Sequence, residues 1–224
     1  METEVKLCFK DKESLYNYAL SDSFKMLVVS GCDPEPVLLE NTYIDTKDLT
    51  VSMRGGMIRS RHYKGSDTDT YEFTVKYGGG VVNGLHQRLE WNVKSDIGEF
   101  SIEKFISAIS DSNDPEDKLK EVFEGISDND LNVLCTNSFT RTLYEISFEN
   151  SRIEACFDSG IISNSDGSVT DEICELELEL TNGDINELNK LAVIIREQTG
   201  SVPLDASKYE RTLKILKGEW KNEK

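Results

Sequence analysis

Between Ile173 and Leu180 the chain reads I-C-E-L-E-L-E-L, and that run constrains the fold more than any other stretch. Apolar and acidic residues alternate with the period of an extended strand. Glu175, Glu177 and Glu179 therefore project from one face, and Leu176, Leu178 and Leu180 from the other. Carboxylates repeated along one face repel each other at close range unless cations stand among them. Taken alone, such a segment reads as the half-exposed strand of an ordinary antiparallel sheet with a solvated acidic side. The same alternation recurs with basic partners, however, and this shifts the reading.

Met1 to Phe9 sets Glu2, Glu4 and Lys6 against Val5, Leu7 and Phe9. Met57 to Tyr63 carries Arg59 and Arg61 on one face, and Tyr71 to Lys76 places Glu72, Thr74 and Lys76 together. Leu85 to Lys94 groups Arg88, Glu90, Asn92 and Lys94, and Arg152 to Asp158 groups Glu154, Cys156 and Asp158 before Ser159-Gly160 closes it. Val37 to Asp45 reads as a further strand, with Asp45-Thr46-Lys47-Asp48 capping a short helical turn. Asn132 to Phe148, which contains Arg141, reads as a turn and two extended pieces.

Helical spacing marks Asp11 to Val29, interrupted near Ser21, and Asp184 to Thr199, with Asp184 at its start and Gly200 as its stop. Ser207 can cap a last helix. Ser101 to Ser110 and Pro115 to Phe123 form a helical insert, joined by a loop at Asp111 to Asp114. Lys64 to Thr70 and Asn164 to Gly167 read as hairpin turns. Gly78-Gly79-Gly80 reads as a flexible link, and it lacks the strand-to-helix setting of a phosphate loop. The whole fits one domain over residues 1–224 with an insert at about 101–131, because that insert is too short to stand as a domain.

The net charge of −17 comes from 42 acidic and 25 basic side chains. Such a surface repels nucleic acid and anionic membranes at long range, so neither is expected as a partner. No segment reaches the roughly 18 apolar residues of a membrane span. Glu2 and Glu4 directly after Met1 do not form a secretion signal, and a cytoplasmic location is expected. Cys8, Cys32, Cys135, Cys156 and Cys174 are odd in number and widely spaced, which speaks against disulfides and zinc. They read as small apolar fillers.

Strands with one apolar and one mixed-charge face admit two arrangements. A flat sheet would leave the charged side to water. If the helices instead cover the apolar faces from outside, the charged faces turn inward and an α+β fold results: an antiparallel closed β-barrel with a polar, charged lumen. That inversion requires ligand, metal and water in the lumen to offset desolvation. Carboxylates suit Mg²⁺ or Mn²⁺, and Arg and Lys suit phosphate oxygens. The combination points to a metal-bound polyphosphate.

In order along the chain, Glu2-Thr3-Glu4-Val5-Lys6 resembles the E-x-E-x-K signature of the CYTH proteins, or triphosphate tunnel metalloenzymes. Tyr43-Ile44-Asp45-Thr46 is similar to that family's Y-x-D-T, Ile58-Arg59-Ser60-Arg61 to L-R-x-R, Thr74-Val75-Lys76 to T-x-K and Arg88-Leu89-Glu90 to R-x-E. Asp158-Ser159-Gly160 resembles D-x-G, Glu175 to Leu180 resembles E-x-E-x-E-L, and Ser207-Lys208-Tyr209 with Arg211 resembles S-K-Y-x-R. Asn92 departs from the pattern, since R-x-E-x-E has an acid there.

The resemblance implies an eight-stranded tunnel hydrolysing a small-molecule triphosphate with Mg²⁺ or Mn²⁺. Inorganic triphosphate is the favoured substrate. Thiamine triphosphatase, nucleoside triphosphatase, class IV type adenylate cyclase and a non-catalytic polyphosphate-binding module are the alternatives, and a homodimer is left open. By motif match Glu2, Glu4, Glu177 and Glu179 would hold metal, with Asp158 and Glu175 as additional acids. Lys6, Arg59, Arg61, Lys76, Arg88, Arg141, Lys208 and Arg211 would hold phosphates, and Lys6, Glu4 and Glu177 would act in catalysis. Glu90 and Glu154 read equally as partners of neighbouring bases. Tyr43 and Asp45 read as fixing a strand end, and His62 and His86 as surface residues.

Overall fold

The computed structural model of the chain describes residues 1–64, 70–109, 115–163 and 167–219. Most of the turns expected at 64–70 and 164–167, and the whole loop at 111–114, lie outside the described residues. In chain order the elements are β1 (Glu2–Cys8), α1 (Lys12–Ala19), α2 (Asp22–Lys25), β2 (Val37–Thr46), α3 (Thr50–Met53), β3 (Gly56–Lys64), β4 (Thr70–Val82) and β5 (Leu85–Ser95). Then come α4 (Ile102–Ala108), α5 (Glu116–Phe123), β6 (Leu131–Phe148), β7 (Ser151–Ser163), β8 (Thr170–Asn182), α6 (Ile185–Thr199), β9 (Val202–Pro203) and α7 (Lys208–Leu216).

The strands pair in the order β5-β4-β3-β2-β6-β7-β8-β1-β9, and β1 also pairs with β5. That extra pairing makes the eight long strands a closed antiparallel β-barrel, as the alternating faces predict. Closure removes the open edges that a sheet of this length would otherwise expose.

The chain divides into two compact units. One consists of Leu38–Gly79 and Arg88–Ser138, with Met1. Its core joins Ile58 of β3, Phe73 and Val75 of β4 and Trp91 of β5 to Val51 of α3, Phe105 of α4 and Leu119, Val122 and Phe123 of α5. The helical insert therefore covers the apolar face of β3, β4 and β5. Gly56 permits the close approach, since a Cβ there would stand 2.9 Å from Val51 Cγ1 and 3.0 Å from Val122 Cγ1.

The second unit consists of Glu2–Val37, Gly80–Gln87 and Phe139–Lys224. Val5, Leu7 and Phe9, Ile153, Ala155 and Phe157, and Leu176 and Leu178 form the apolar face of β1, β7 and β8. Leu15 and Tyr18 of α1, Phe24 of α2 and Leu188, Leu191 and Ile195 of α6 pack on it. Each fully buried side chain of this size is worth about 1.5–3 kcal/mol, and Phe24 meets Phe157 edge-on at 4.9 Å. Asp184 caps α6 by accepting from Asn186 N–H, and Gly200 ends it at φ +72°. Ser207 and Glu210 form a reciprocal capping box on α7.

Several boundaries differ from the sequence expectation. The interruption near Ser21 separates α1 from α2, because Ser21 accepts from Phe24 N–H and starts a new helix. β6 is a single strand of 18 residues, and not a turn with two pieces. Gly78 to Gly80 belong to β4, Gly78 and Gly79 taking positive φ while Gly78 N–H donates to Gly55 O at 3.0 Å. β7 continues past Gly160 to Ser163 because Gly160 stays paired with Ile173. His86 is buried, with Nε2 3.0 Å from the Leu204 carbonyl oxygen that covers it.

Closure depends on Gly84. Lys6 N–H donates to Gly84 O at 2.8 Å, and a Cβ on Gly84, at φ +79°, would lie 2.6 Å from Lys6 O. Gly78, at φ +62°, has open space around it. Gly78→Ala is expected to cost only the left-handed strain, about 1 kcal/mol or a Tm drop of about 2–4 °C. Gly84→Ala must also displace backbone and should lower Tm at least twice as far, as differential scanning calorimetry would show.

Candidate functional site

In the second unit, strand register builds a grid of charged side chains. Glu4 lies opposite Glu179, Lys6 opposite Glu177, and Cys8 opposite Glu175 between β1 and β8. Across β7, Glu179 faces Glu154, Glu177 faces Cys156, and Glu175 faces Asp158. The three rows are Glu4-Glu179-Glu154, Lys6-Glu177-Cys156 and Cys8-Glu175-Asp158. This face, opposite the one that α1 and α6 cover, is not solvated: Asp158 is 0% exposed, Glu175 1% and Glu177 7%.

Cations from three elements, β1, β6 and α7, neutralise it. Lys6 Nζ lies 2.7 Å from Glu177 and 3.1 Å from Glu4. Arg141 of β6 donates to both oxygens of Asp158, at 2.7 and 2.6 Å, and also to Glu177. From the first turn of α7, Lys208 Nζ reaches Asp158 at 2.8 Å, Glu175 at 2.7 Å and Glu177 at 2.8 Å. Lys208 and Arg141 also stand over the Phe139 ring, 4.9 and 5.7 Å from its centroid. Arg211 pairs with Asp171 at 2.7 Å and with Glu175, and donates to Glu172 O at 3.3 Å.

Burial disfavours the charged form of each group, but the partners outweigh it. Glu177 is held well below the ordinary carboxylate range by Lys208, Lys6 and Arg141, and Glu175 is held below it by Lys208 and Arg211. Lys208, buried among three carboxylates, is raised above the ordinary lysine value. These groups are therefore ionised at neutral pH. Cys156, among them, has its thiol pushed up to about 12 by burial, so it is an inert filler here. All five cysteines are free, three of them buried.

The first unit carries a second charged face. Arg59 donates to Thr74 Oγ1 at 2.8 Å and lies 3.7 Å from Glu72. Arg61 Nε donates to Asn41 Oδ1 at 2.9 Å, and Asn41 Nδ2 donates to Asn137 Oδ1 at 3.1 Å. Lys76 pairs with Glu90 at 2.9 Å, which is the partner role open to Glu90 from the sequence. Arg88 sits half-buried on β5. His62 also lies in this unit, partly buried rather than on the open surface, stacked on Tyr71 with centroids 4.5 Å apart.

Asn41, Asn137 and Asp171 were not among the residues singled out from the sequence. Asn41 stands two residues before Tyr43, on the same strand face. That parity, in a strand whose next acid is buried Asp45, was the available signal. Asp171 lies four residues before Glu175 on one strand face, where it reads as one more surface acid.

A divalent cation can be tested against these donors. Among the described residues no group of three or more His, Cys, Asp or Glu side chains is arranged to hold a metal ion. The reason is visible in the grid: the oxygens of Asp158, Glu175 and Glu177 are turned onto Lys and Arg. The row Glu4-Glu179-Glu154 nevertheless sets three carboxylates directly opposite one another, with Lys6 3.1 Å from Glu4 at its edge, and further positive charge there would relieve their repulsion. Its donors are all oxygen, the type Mg²⁺ and Mn²⁺ require. The residues fit such an ion in the kind of donor they offer.

The sequence matches one family over nearly the whole chain. Residues 1–213 match the CYTH domain, and the chain belongs to that family. It is 28% identical over 152 residues to a protein named inorganic triphosphatase from Haemophilus influenzae. That match takes in 68% of this chain but 38% of the relative, so the chain spans well under two thirds of that curated relative. Among solved structures it is similar to HpAC1 from Hippeastrum, described as revealing a dominant triphosphatase activity. The TM-score there is 0.66 at 18% identity, over 99% of this chain and 98% of that one. It is also similar to PH1819 from Pyrococcus horikoshii OT3, with TM-score 0.53 at 15% identity over 92% and 96% of the two chains. Among the described residues no helix is long and apolar enough to cross a membrane.

Asp45 shows what the family's Y-x-D-T residues do here. It is 0% exposed and accepts from Thr46 N–H at 2.7 Å, Val51 N–H at 2.9 Å, and Ser52 N–H and Oγ at 2.9 and 2.6 Å. It ties the end of β2 to α3, and Tyr43 accepts from Asn137 Nδ2 at 3.4 Å. Asp45→Ala strands several buried donors and should cost about 3 kcal/mol or more, while Asp45→Asn, keeping one acceptor, should cost less. Urea denaturation of the two variants checks the order.

Proposed function

We propose that this chain hydrolyses inorganic triphosphate to diphosphate and phosphate with Mg²⁺ or Mn²⁺ bound. The observation that carries the reading is the concentration of Arg59, Arg61, Lys76 and Arg88 on three neighbouring strands of a chain whose net charge is −17. A fold that buries cations so selectively in an acidic protein suits a compact polyanion, and Arg in particular suits phosphate oxygens in bidentate fashion. The Haemophilus relative's name and the Hippeastrum protein's described activity support the same class of reaction.

In this reading Glu2, Glu4, Glu177 and Glu179 would hold the metal. Asp158, buried against Arg141 and Lys208, and Glu175, buried against Lys208 and Arg211, would orient Arg141 and Lys208 toward phosphate. Bound there, Mg²⁺ or Mn²⁺ would supply neutralisation of the developing phosphoryl charge and acidification of a water. Arg59, Arg61, Lys76 and Arg88 bind phosphate oxygens and hold the chain in line. Lys6, fixed between Glu4 and Glu177, has N–H groups left to orient the attacking water or to stabilise the leaving oxygen. Phosphoryl transfer asks mainly for such positioning and charge, and little covalent chemistry.

The test is phosphate release from tripolyphosphate, ATP and thiamine triphosphate, with Mg²⁺, with Mn²⁺ and with chelator. Metal-dependent release, fastest from tripolyphosphate, is expected. Faster release from ATP or thiamine triphosphate would move the substrate to that ester, and tight tripolyphosphate binding without release from any of them would make the chain a binding module. Glu4→Gln should lower kcat by about 100-fold or more with an unchanged Tm. Full activity in that variant would remove Glu4 from the metal site.

A further inference from the structure

Asn92 stands where the family pattern has an acid, and the structure shows what the amide does instead. Arg59 can only donate, and its guanidinium donates to Thr74 Oγ1 at 2.8 Å. The Thr74 hydroxyl proton is thereby free to go onward, and it donates to Asn92 Oδ1 at 2.7 Å. The other end of the same amide, Nδ2, donates to Glu90 Oε1 at 2.8 Å. Glu90 Oε2 in turn pairs with Lys76 at 2.9 Å. The relay Arg59–Thr74–Asn92–Glu90–Lys76 thus runs across β3, β4 and β5 with every direction dictated by an obligate donor at each end. Thr74 in its middle is fully buried, while Asn92 is exposed.

Only a group that accepts and donates at once can occupy position 92 in this relay. A carboxylate there accepts from Thr74 but has no proton for Glu90, and it sets a second negative charge against Glu90. We infer that Asn92 is a positioning residue: it locks Arg59 and Lys76 in one arrangement and limits the negative charge beside them to Glu90, 2.9 Å from Lys76, and Glu72, 3.7 Å from Arg59. An acid at position 92 would set a further carboxylate beside cations that already meet Glu90 and Glu72, and would neutralise more of their charge. The choice of Asn therefore favours a polyanion held by side chains directly. The identity of that anion, a linear triphosphate, rests on the function proposed above.

Titration calorimetry with tripolyphosphate in chelator, followed by steady-state kinetics with Mg²⁺, tests this with three variants. Asn92→Asp is expected to weaken tripolyphosphate binding about tenfold or more, as loss of a charge-assisted hydrogen bond would, and to raise KM while kcat changes less than threefold. Asn92→Ala, which breaks the relay without adding charge, should weaken binding less than Asn92→Asp. Glu90→Gln combined with Asn92→Asp restores both the charge count and a donor facing an acceptor, and should recover binding to within about threefold of the parent. Tm within 2 °C of the parent in each variant would separate this from a folding defect. Parent protein that does not bind tripolyphosphate sinks the proposed function itself. Parent protein that binds, with Asn92→Asp binding within twofold of it or the double variant no better than Asn92→Asp, sinks the positioning role alone.

Discussion

Glu177 is the group on which the charged face of β8 depends. It sits at 7% exposure between Lys6, Arg141 and Lys208, contributed by β1, β6 and α7. Desolvation of one such carboxylate costs several kcal/mol, and no single ion pair returns that reliably. Three cations converging on it do, and the same cations satisfy Asp158, Glu175 and Glu4. The lattice is therefore cooperative. Removing any one member leaves its neighbours buried and unmatched, which is a stronger constraint than the attraction within any pair. It also explains why α7 begins at Lys208: the capping box of Ser207 and Glu210 starts the helix at the residue whose ammonium the lattice needs.

The two units divide the chemistry differently. Around β8 the acids outnumber the bases, and the bases are held in place by contact with them. On β3, β4 and β5 the bases are held largely by neutral groups, Asn41, Thr74, Asn92 and Asn137, with Glu90 and Glu72 as the carboxylates beside Lys76 and Arg59. Neutral hydrogen-bonding side chains are the economical way to orient a cation that must stay attractive to an anion. Carboxylates are the way to bury one.

Alternation made most of the strand set readable in advance. Glu175, Glu177 and Glu179, with Leu176, Leu178 and Leu180, specify both the strand and its two-faced character, and the helices over the apolar face decide that the acidic face is the enclosed one. Three things were not legible. β6 runs unbroken because it is paired with both β2 and β7, long-range partners that local propensity does not record. Gly78 and Gly79 read as a link because positive φ and strand pairing are rarely expected together. His86 is buried with its Nε2 on the Leu204 carbonyl oxygen, a partner over a hundred residues downstream. At the site, single residues at motif positions were readable, but the partner of each cation was not: whether an arginine meets an amide or a carboxylate is set by register between strands far apart in sequence.

That separation has a consequence for how the protein comes into being. Lys6 and its partner Glu177 are 171 residues apart. Leu38–Gly79 and Arg88–Ser138 are complete, and their apolar core available, while much of the chain is still unmade. The opposite holds for β1. Its apolar face, Val5, Leu7 and Phe9, can meet Leu15, Tyr18 and Phe24 of α1 and α2 early, but Glu2, Glu4 and Lys6 stay unmatched until β8 and α7 have been translated. Acidic residues spaced through such a waiting strand keep it hydrated and resist premature pairing with other chains. The same carboxylates that order the finished protein thus act, during synthesis, as its safeguard against aggregation.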